Sequence, residues 1–277
     1  MFGTGLTSKL RQLIAPVPST PSAQMRAAAP LGTAPHADRE TYLALHQQAC
    51  DQSYPEVESV EQNTGFAIDL GWMNELALHT QCVVKKNPLN YGHGRVLYAT
   101  LRKYLDNDPD HPVTIFETGT ARGFSSIVMS RALEDAGIEG SIVTLDRLPH
   151  HIPMIWNCID DLEREKTRSE ILAPWEPLLR RICFVEGNVR DLLQTIGLSR
   201  VNFAFLDATH EEKDVLEEYN YVASRQQTGD MIVFDDVTPQ EFPGVVSAIN
   251  AVEAKGHYRV DHITASQHRA YAIATRL

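Results

Sequence analysis

The sequence predicts an α/β fold: a doubly wound, mostly parallel seven-stranded sheet behind an N-terminal helical layer. Three observations predict it. From Pro112 onward, short β-branched or apolar runs alternate with amphipathic segments, the rhythm of a parallel sheet wound with helices. Two of these runs, Phe203-Ala-Phe-Leu-Asp207 and Met231-Ile-Val-Phe-Asp235-Asp236, are apolar throughout and end abruptly in acid, as strands buried on both faces do. The last two runs, Tyr258 to Thr264 and Arg269 to Thr275, are separated by only Ala-Ser-Gln-His. So short a turn pairs them as a hairpin and adds one antiparallel strand at the sheet edge.

Taken in order, residues 1–37 contain no acid and are rich in Ser, Thr, Ala and Pro, with Lys9, Arg11 and Arg26. That composition is shared by a disordered tail and by an organelle transit peptide. Residues 38–110 form the helical layer. Helical apolar spacing runs from Arg39 to Cys50, from Met73 to Val84 and from Arg95 to Leu105, with a Glu-rich linker at Tyr54 to Thr64. Residues 111–277 are the sheet domain. Its first five strands are predicted at Val113–Glu117, Ser141–Asp146, Arg181–Glu186, Val201–Asp207 and Met231–Val237. Helices fall at Phe124–Ala136, Glu211–Ser224 and Gly244–Ala254. The connection from Asp146 to Arg181 is long enough to be a lid and carries a charged segment, Ile159–Leu172, that reads as a helix. Its two tryptophans, Trp156 and Trp175, read as packing residues.

Bulk properties exclude some functions. With 277 residues, 43% of them hydrophobic, the chain can bury a large core. A formal net charge of −11 gives no basic excess to displace the counterions of a nucleic acid, so a small-molecule substrate or a protein partner fits better. No stretch reaches the roughly 20 apolar residues of a membrane span. Cys50, Cys82, Cys158 and Cys183 are scattered without a CxxC pair, as idle thiols of a reducing, cytoplasmic compartment are. Whether the chain forms a homo-oligomer is not written in the sequence.

The chemistry gathers at strand ends. Glu117-Thr-Gly119-Thr120-Ala-Arg-Gly123-Phe-Ser125 follows a strand and opens a helix, where glycine allows close backbone approach and the helix N-terminus offers free N–H donors. It is not the dinucleotide fingerprint, because Ala121 and Phe124 stand where that motif has glycine. Asp146, ending the second strand, suits two ribose hydroxyls. Gly187-Asn188 ends the third, where backbone can approach a flat ligand. Asp207, Asp235, Asp236 and His210 would then share one edge. Three such carboxylates repel unless a proton or a cation stands between them. Hard oxygen donors suit a divalent ion such as Mg²⁺, which lowers the pKa of a bound hydroxyl, and an imidazole can take the released proton near neutral pH. Successive strand residues face opposite sides, which makes Asp236 the weaker of the paired ligands unless the chain has already turned.

These residues resemble class I S-adenosylmethionine-dependent methyltransferases over residues 112–277. The resemblance implies that Glu117, Gly119, Thr120, Gly123 and Ser125 hold the methionine part, Asp146 the ribose, and Gly187 and Asn188 the adenine, with Asp207 also beside the cofactor. Within that class the chain looks most like metal-dependent O-methyltransferases of the catechol, caffeoyl-coenzyme A and macrolide-sugar kind. That likeness implies a Mg²⁺ held by Asp207, Asp235 and Asp236. Where the catechol type has a lysine base, this chain has His210, as in the sugar-modifying branch. The implied acceptor is a small hydroxylated molecule, a sugar or a natural product. Other readings on the same fold are a metal-independent methyltransferase, a nucleotide-cofactor oxidoreductase and a non-catalytic cofactor-binding protein.

Overall fold

The computed structural model describes residues 29–107 and 112–277. The tail reading of residues 1–28 lies outside them. Four helices come first: α1 (Arg39–Cys50), α2 (Pro55–Thr64), α3 (Leu70–Thr80) and α4 (His93–Asn107). Strands and helices then alternate: β1 (Val113–Thr118), α5 (Phe124–Ala136), β2 (Gly140–Asp146), α6 (Arg168–Leu172), α7 (Glu176–Leu179), β3 (Ile182–Glu186), α8 (Val189–Leu193), β4 (Phe203–Leu206), α9 (Glu212–Ala223), β5 (Met231–Phe234), α10 (Pro243–Ala254), β6 (Tyr258–Ser266) and β7 (Arg269–Arg276).

The sheet has seven strands in the order β3-β2-β1-β4-β5-β7-β6. The first five in that order are parallel, and β7 runs antiparallel to both β5 and β6. The antiparallel strand is therefore not the edge strand that the sequence predicts. β7 inserts beside β5, leaving β6 outermost. As a result the first residue of β7, Arg269, lies at the same edge as the last residues of β5.

Alternation along the central strands feeds two cores. Ile115, Phe203, Phe205 and Val233 face one cluster, which also contains Val57, Met73, Leu76, Leu97 and Leu101 from the N-terminal helices. Phe116, Ala204, Leu206, Ile232 and Phe234 face the other, with Val215, Tyr219, Ile249 and Val252 of α9 and α10. Both faces are covered, so continuous apolar runs rather than alternating ones are what these strands need. The N-terminal helices share their core with the sheet and act as its covering layer on that side.

Two local expectations fail. The Tyr54–Thr64 linker is helical as α2. Pro55 occupies the first turn, Glu56 and Glu58 favour the positive end of the dipole, and Gly65 ends the helix in a left-handed conformation (φ 81°). End signals outweighed weak periodicity. The charged segment Ile159–Leu172 is not one helix. It divides into a 3₁₀ turn, Ile159–Leu162, and α6, which begins at a capping box between Thr167 and Glu170. Between the two, backbone pairing of Met154 with Lys166 closes the loop on itself. Trp156 is fully buried and Trp175 nearly so, as packing residues should be. Among the described residues, no helix is long and apolar enough to cross a membrane.

Candidate active site

At the carboxyl edge of β1, β2 and β3 lies a cavity of about 590 Å³. Gly119, Ala121, Asp146, Gly187, Asn188 and Asp207 line it. Gly119 has φ 87°, and a Cβ there would sit 2.2 Å from the Asp207 carbonyl oxygen, so only glycine lets the β1 and β4 ends pass this closely. Asp146 organises the loop. Its Oδ2 accepts the Ala121 N–H at 2.6 Å, and its Oδ1 accepts the Leu148 N–H at 2.8 Å. Ala121 itself is left-handed (φ 45°), a conformation held by that bond and by Arg168, whose Nε donates to the Ala121 carbonyl at 2.8 Å. Arg168, buried to 2% exposure, comes from the long Asp146–Arg181 connection and packs on Trp156 and Phe184. Burial brings its guanidinium down to about 10, against the pull of Asp146. Pro30 and Leu31 close the cavity from the N-terminal side, so the segment assigned to the tail reaches the site at its end.

Glu117, Thr120, Gly123 and Ser125, expected at the cofactor, do not line this cavity. Glu117 shares its strand face with Ile115, the face toward α5, and is fully buried. It accepts hydrogen bonds from the Ser125 and Ser126 hydroxyls, tying the first turn of α5 to the end of β1. Burial pushes its carboxyl up against the opposing effect of those hydroxyls. Thr120 bonds Thr144 at 2.5 Å, and a Cβ at Gly123 would meet Leu172 at 2.7 Å. These residues shape the loop from beneath.

A carboxylate overlooked in the sequence, Glu218 of α9, also lines the cavity. It accepts from Thr118 Oγ1 at 2.5 Å and Thr209 Oγ1 at 3.0 Å, and burial lifts it to about 7.

The second half of the edge is charged. One donor atom each from Asp207, His210 and Asp236 lie within 4.8 Å of one another. His210 Nε2 is 3.0 Å from Asp236 Oδ2, and its ring stacks on Phe242 at 4.2 Å. Asp236 is left-handed (φ 58°), so the chain has turned by this residue and both acids of the pair stay at the edge. This is why β5 ends at Phe234. Burial works against ionisation of Asp236, but the His210 hydrogen bond and the Arg269 charge outweigh it and hold its carboxyl below the usual range. Asp207 is pushed well above it, by burial and then by Asp235 and Asp236. Burial also raises Asp235, to about 6, although Arg269 pulls the other way.

Of the three carboxylates expected around a divalent ion, Asp207 and Asp236 belong with His210 to a group close enough to hold one. Asp236 converges with Asp207 and His210, while Asp235 lies outside that group. Asp235 Oδ2 and Asp236 Oδ1 each accept from Arg269, at 2.7 Å. In the sequence Arg269 was visible only as the start of a strand. The missed signal was topological, since an antiparallel neighbour begins where β5 ends. His93, at the start of α4, is buried between Phe124 and Phe205, and that burial, with Arg269 and Lys85 nearby, keeps its ring neutral. A second cavity, of about 670 Å³, adjoins Asp236 and Arg269 and is walled by Lys85, Asn87, Asn90 and Phe242.

Residues 116–237 match the family model of a methyltransferase domain. The match runs from β1 through the Asp235–Asp236 pair, so the matched stretch includes both halves of the edge. Two solved structures show the same fold at low identity. One is the O-methyltransferase TomG from Streptomyces achromogenes, involved in tomaymycin synthesis and solved in complex with SAM. It is 16% identical, with a TM-score of 0.54 over 81% of this chain and 99% of that one. The other is an O-methyltransferase from Bacillus cereus in complex with SAH. It is 17% identical, with a TM-score of 0.51 over 86% of this chain and 99% of that one. No curated protein matches the chain by sequence. The methyltransferase fold therefore stands on the matched domain and on strand order.

Proposed function

We propose that this protein is an S-adenosylmethionine-dependent O-methyltransferase that acts on a hydroxyl of a small molecule, a sugar or a natural product. One observation carries the reading. Asp207 lines the cofactor-sized cavity and also belongs to the Asp207–His210–Asp236 cluster, so a cofactor site and a proton-handling site meet at one residue. S-adenosylmethionine supplies an electrophilic methyl group on a sulfonium sulfur. Asp146, Gly187 and Asn188 would hold its adenosine part, with Gly119 giving close backbone approach.

Methylation of a hydroxyl releases one proton, and the proposal assigns its uptake to His210. With Asp236 ionised, Nε2 carries the ring proton and donates it to Asp236 Oδ2, which leaves the Nδ1 lone pair for the acceptor proton. Asp236 orients the ring and stabilises the imidazolium that results, and Phe242 fixes its plane. The cavity beside Asp236 is of a size for a small acceptor, and its polar wall of Asn87, Asn90 and Lys85 suits a hydroxylated one.

Calorimetry with S-adenosylhomocysteine and with NAD tests the cofactor. Binding of the first and not the second is expected, and the reverse would refute the proposal in favour of an oxidoreductase. With an acceptor found among phenols and sugars, His210→Asn should lower turnover by about 10²–10⁴-fold. S-adenosylhomocysteine binding should be unchanged in that variant.

A further inference from the structure

Three carboxylates meeting at one edge need a proton or a positive charge among them. The guanidinium of Arg269 is placed to supply it. Its Nη2 donates to Asp235 Oδ2 and its Nη1 to Asp236 Oδ1, each at 2.7 Å, so one planar fork bridges two successive acids. A third contact, Nη2 to His93 Nδ1 at 3.5 Å, comes from α4. The guanidinium is therefore fixed from the end of β5, from the N-terminal layer and by its own strand. The remaining oxygens of the pair are also committed. Asp235 Oδ1 accepts the Asp236 N–H at 2.7 Å, and Asp236 Oδ2 faces His210. Of the three acids, Asp207 alone has a carboxylate that meets no protein donor among the described residues.

This arrangement leaves little for a divalent ion. Hard cations gather six or more oxygen ligands and depend on the number of carboxylates offered. Here two of three carboxylates already serve a fixed positive charge, which would also repel an incoming cation. We propose that Arg269 is the resident cation of the site. It takes the place of a divalent ion among the acids and positions Asp236 for His210, so that methyl transfer needs no metal. The inference rests on the methyl-transfer reading only for the reaction served. The placement of charge stands apart from it.

Binding of Mn²⁺ to the full chain, followed by the electron paramagnetic resonance signal of the free ion, tests the proposal without an acceptor. The wild-type protein should leave Mn²⁺ free. Arg269→Met should take up a stoichiometric ion at least about tenfold more tightly, because it frees the carboxylates. Arg269→Lys, which keeps the charge but loses the fork, should behave as wild type. Stoichiometric Mn²⁺ on the wild-type protein, lost in Asp207→Asn, would overturn the idea. So would uptake by Arg269→Lys equal to that of Arg269→Met, or no gain in a folded Arg269→Met protein. The wild-type measurement decides even if the methionine variant does not fold. If S-adenosylhomocysteine fails to bind, the methyltransferase reading falls while the Mn²⁺ result still reports on Arg269.

Discussion

Between β1 and β3 the carboxyl edge of this sheet is made of backbone, and between β4 and β7 it is made of charge. In the first half, Gly119, Asp146, Gly187 and Asn188 come from three successive strand ends and line one cavity with loop N–H groups held by a single carboxylate. In the second, Asp207, His210, Asp235, Asp236, His93 and Arg269 come from four elements spread over 177 residues and balance one another electrostatically. The first kind of site tolerates isolation, since each part is fixed by its own strand. The second depends on every partner, because removing one charge leaves another buried and unpaired.

That difference can be broken at Asp207, where the halves meet. Asp207→Asn is expected to have the largest effect, lowering turnover by about 10²–10³-fold. S-adenosylhomocysteine should bind nearly as before, while the cationic S-adenosylmethionine should lose affinity relative to it. Equal losses for both ligands would place Asp207 in general cofactor packing rather than in the charged half. Asp146→Ala comes next and should affect the first half alone. It removes the acceptor for two backbone N–H groups, and S-adenosylhomocysteine affinity should fall by about 10–100-fold in calorimetry. Mn²⁺ behaviour should not change. A variant that bound S-adenosylhomocysteine as tightly as wild type would refute the role given to Asp146.

The smallest effect sharpens the comparison through pH. Glu218 sits beneath the first half with its carboxyl raised from 4.5 to about 7 by burial. Below the unfolded value both states are protonated and the folded state keeps its full stability. As pH rises from 4.5 toward about 7, the unfolded chain releases a proton that the folded chain retains, and stability is lost. Urea denaturation should show this decline, on the order of 1–3 kcal/mol. Glu218→Gln should flatten that part of the profile. An unchanged slope in the variant would assign the decline to another group.

Legibility followed the same division. The glycine loop, Asp146 and Gly187-Asn188 could be read from sequence because each motif is local: a strand, a turn and an acid in immediate succession. Even so, Glu117, Thr120, Gly123 and Ser125 lie outside the lining of the cavity, with Glu117 bonded to the first turn of α5. Strand parity sends Glu117 toward α5, and parity needs the exact strand register. α2 was missed because end signals outweigh periodicity in a ten-residue helix. Asp207, Asp235, Asp236 and His210 were all visible, but not their pairing.

The sequence by itself determined the rhythm of strands and helices, the doubly buried centre of the sheet and the acids at its carboxyl edge. These follow from hydrophobic spacing, which acts over a few residues. Only the tertiary structure decided that Asp236 turns into a left-handed conformation and that Arg269 lies across Asp235 and Asp236. The reason is the insertion of β7 beside β5. An antiparallel strand brings its first residue to the edge where its parallel neighbour ends, and no local pattern in the chain encodes that meeting.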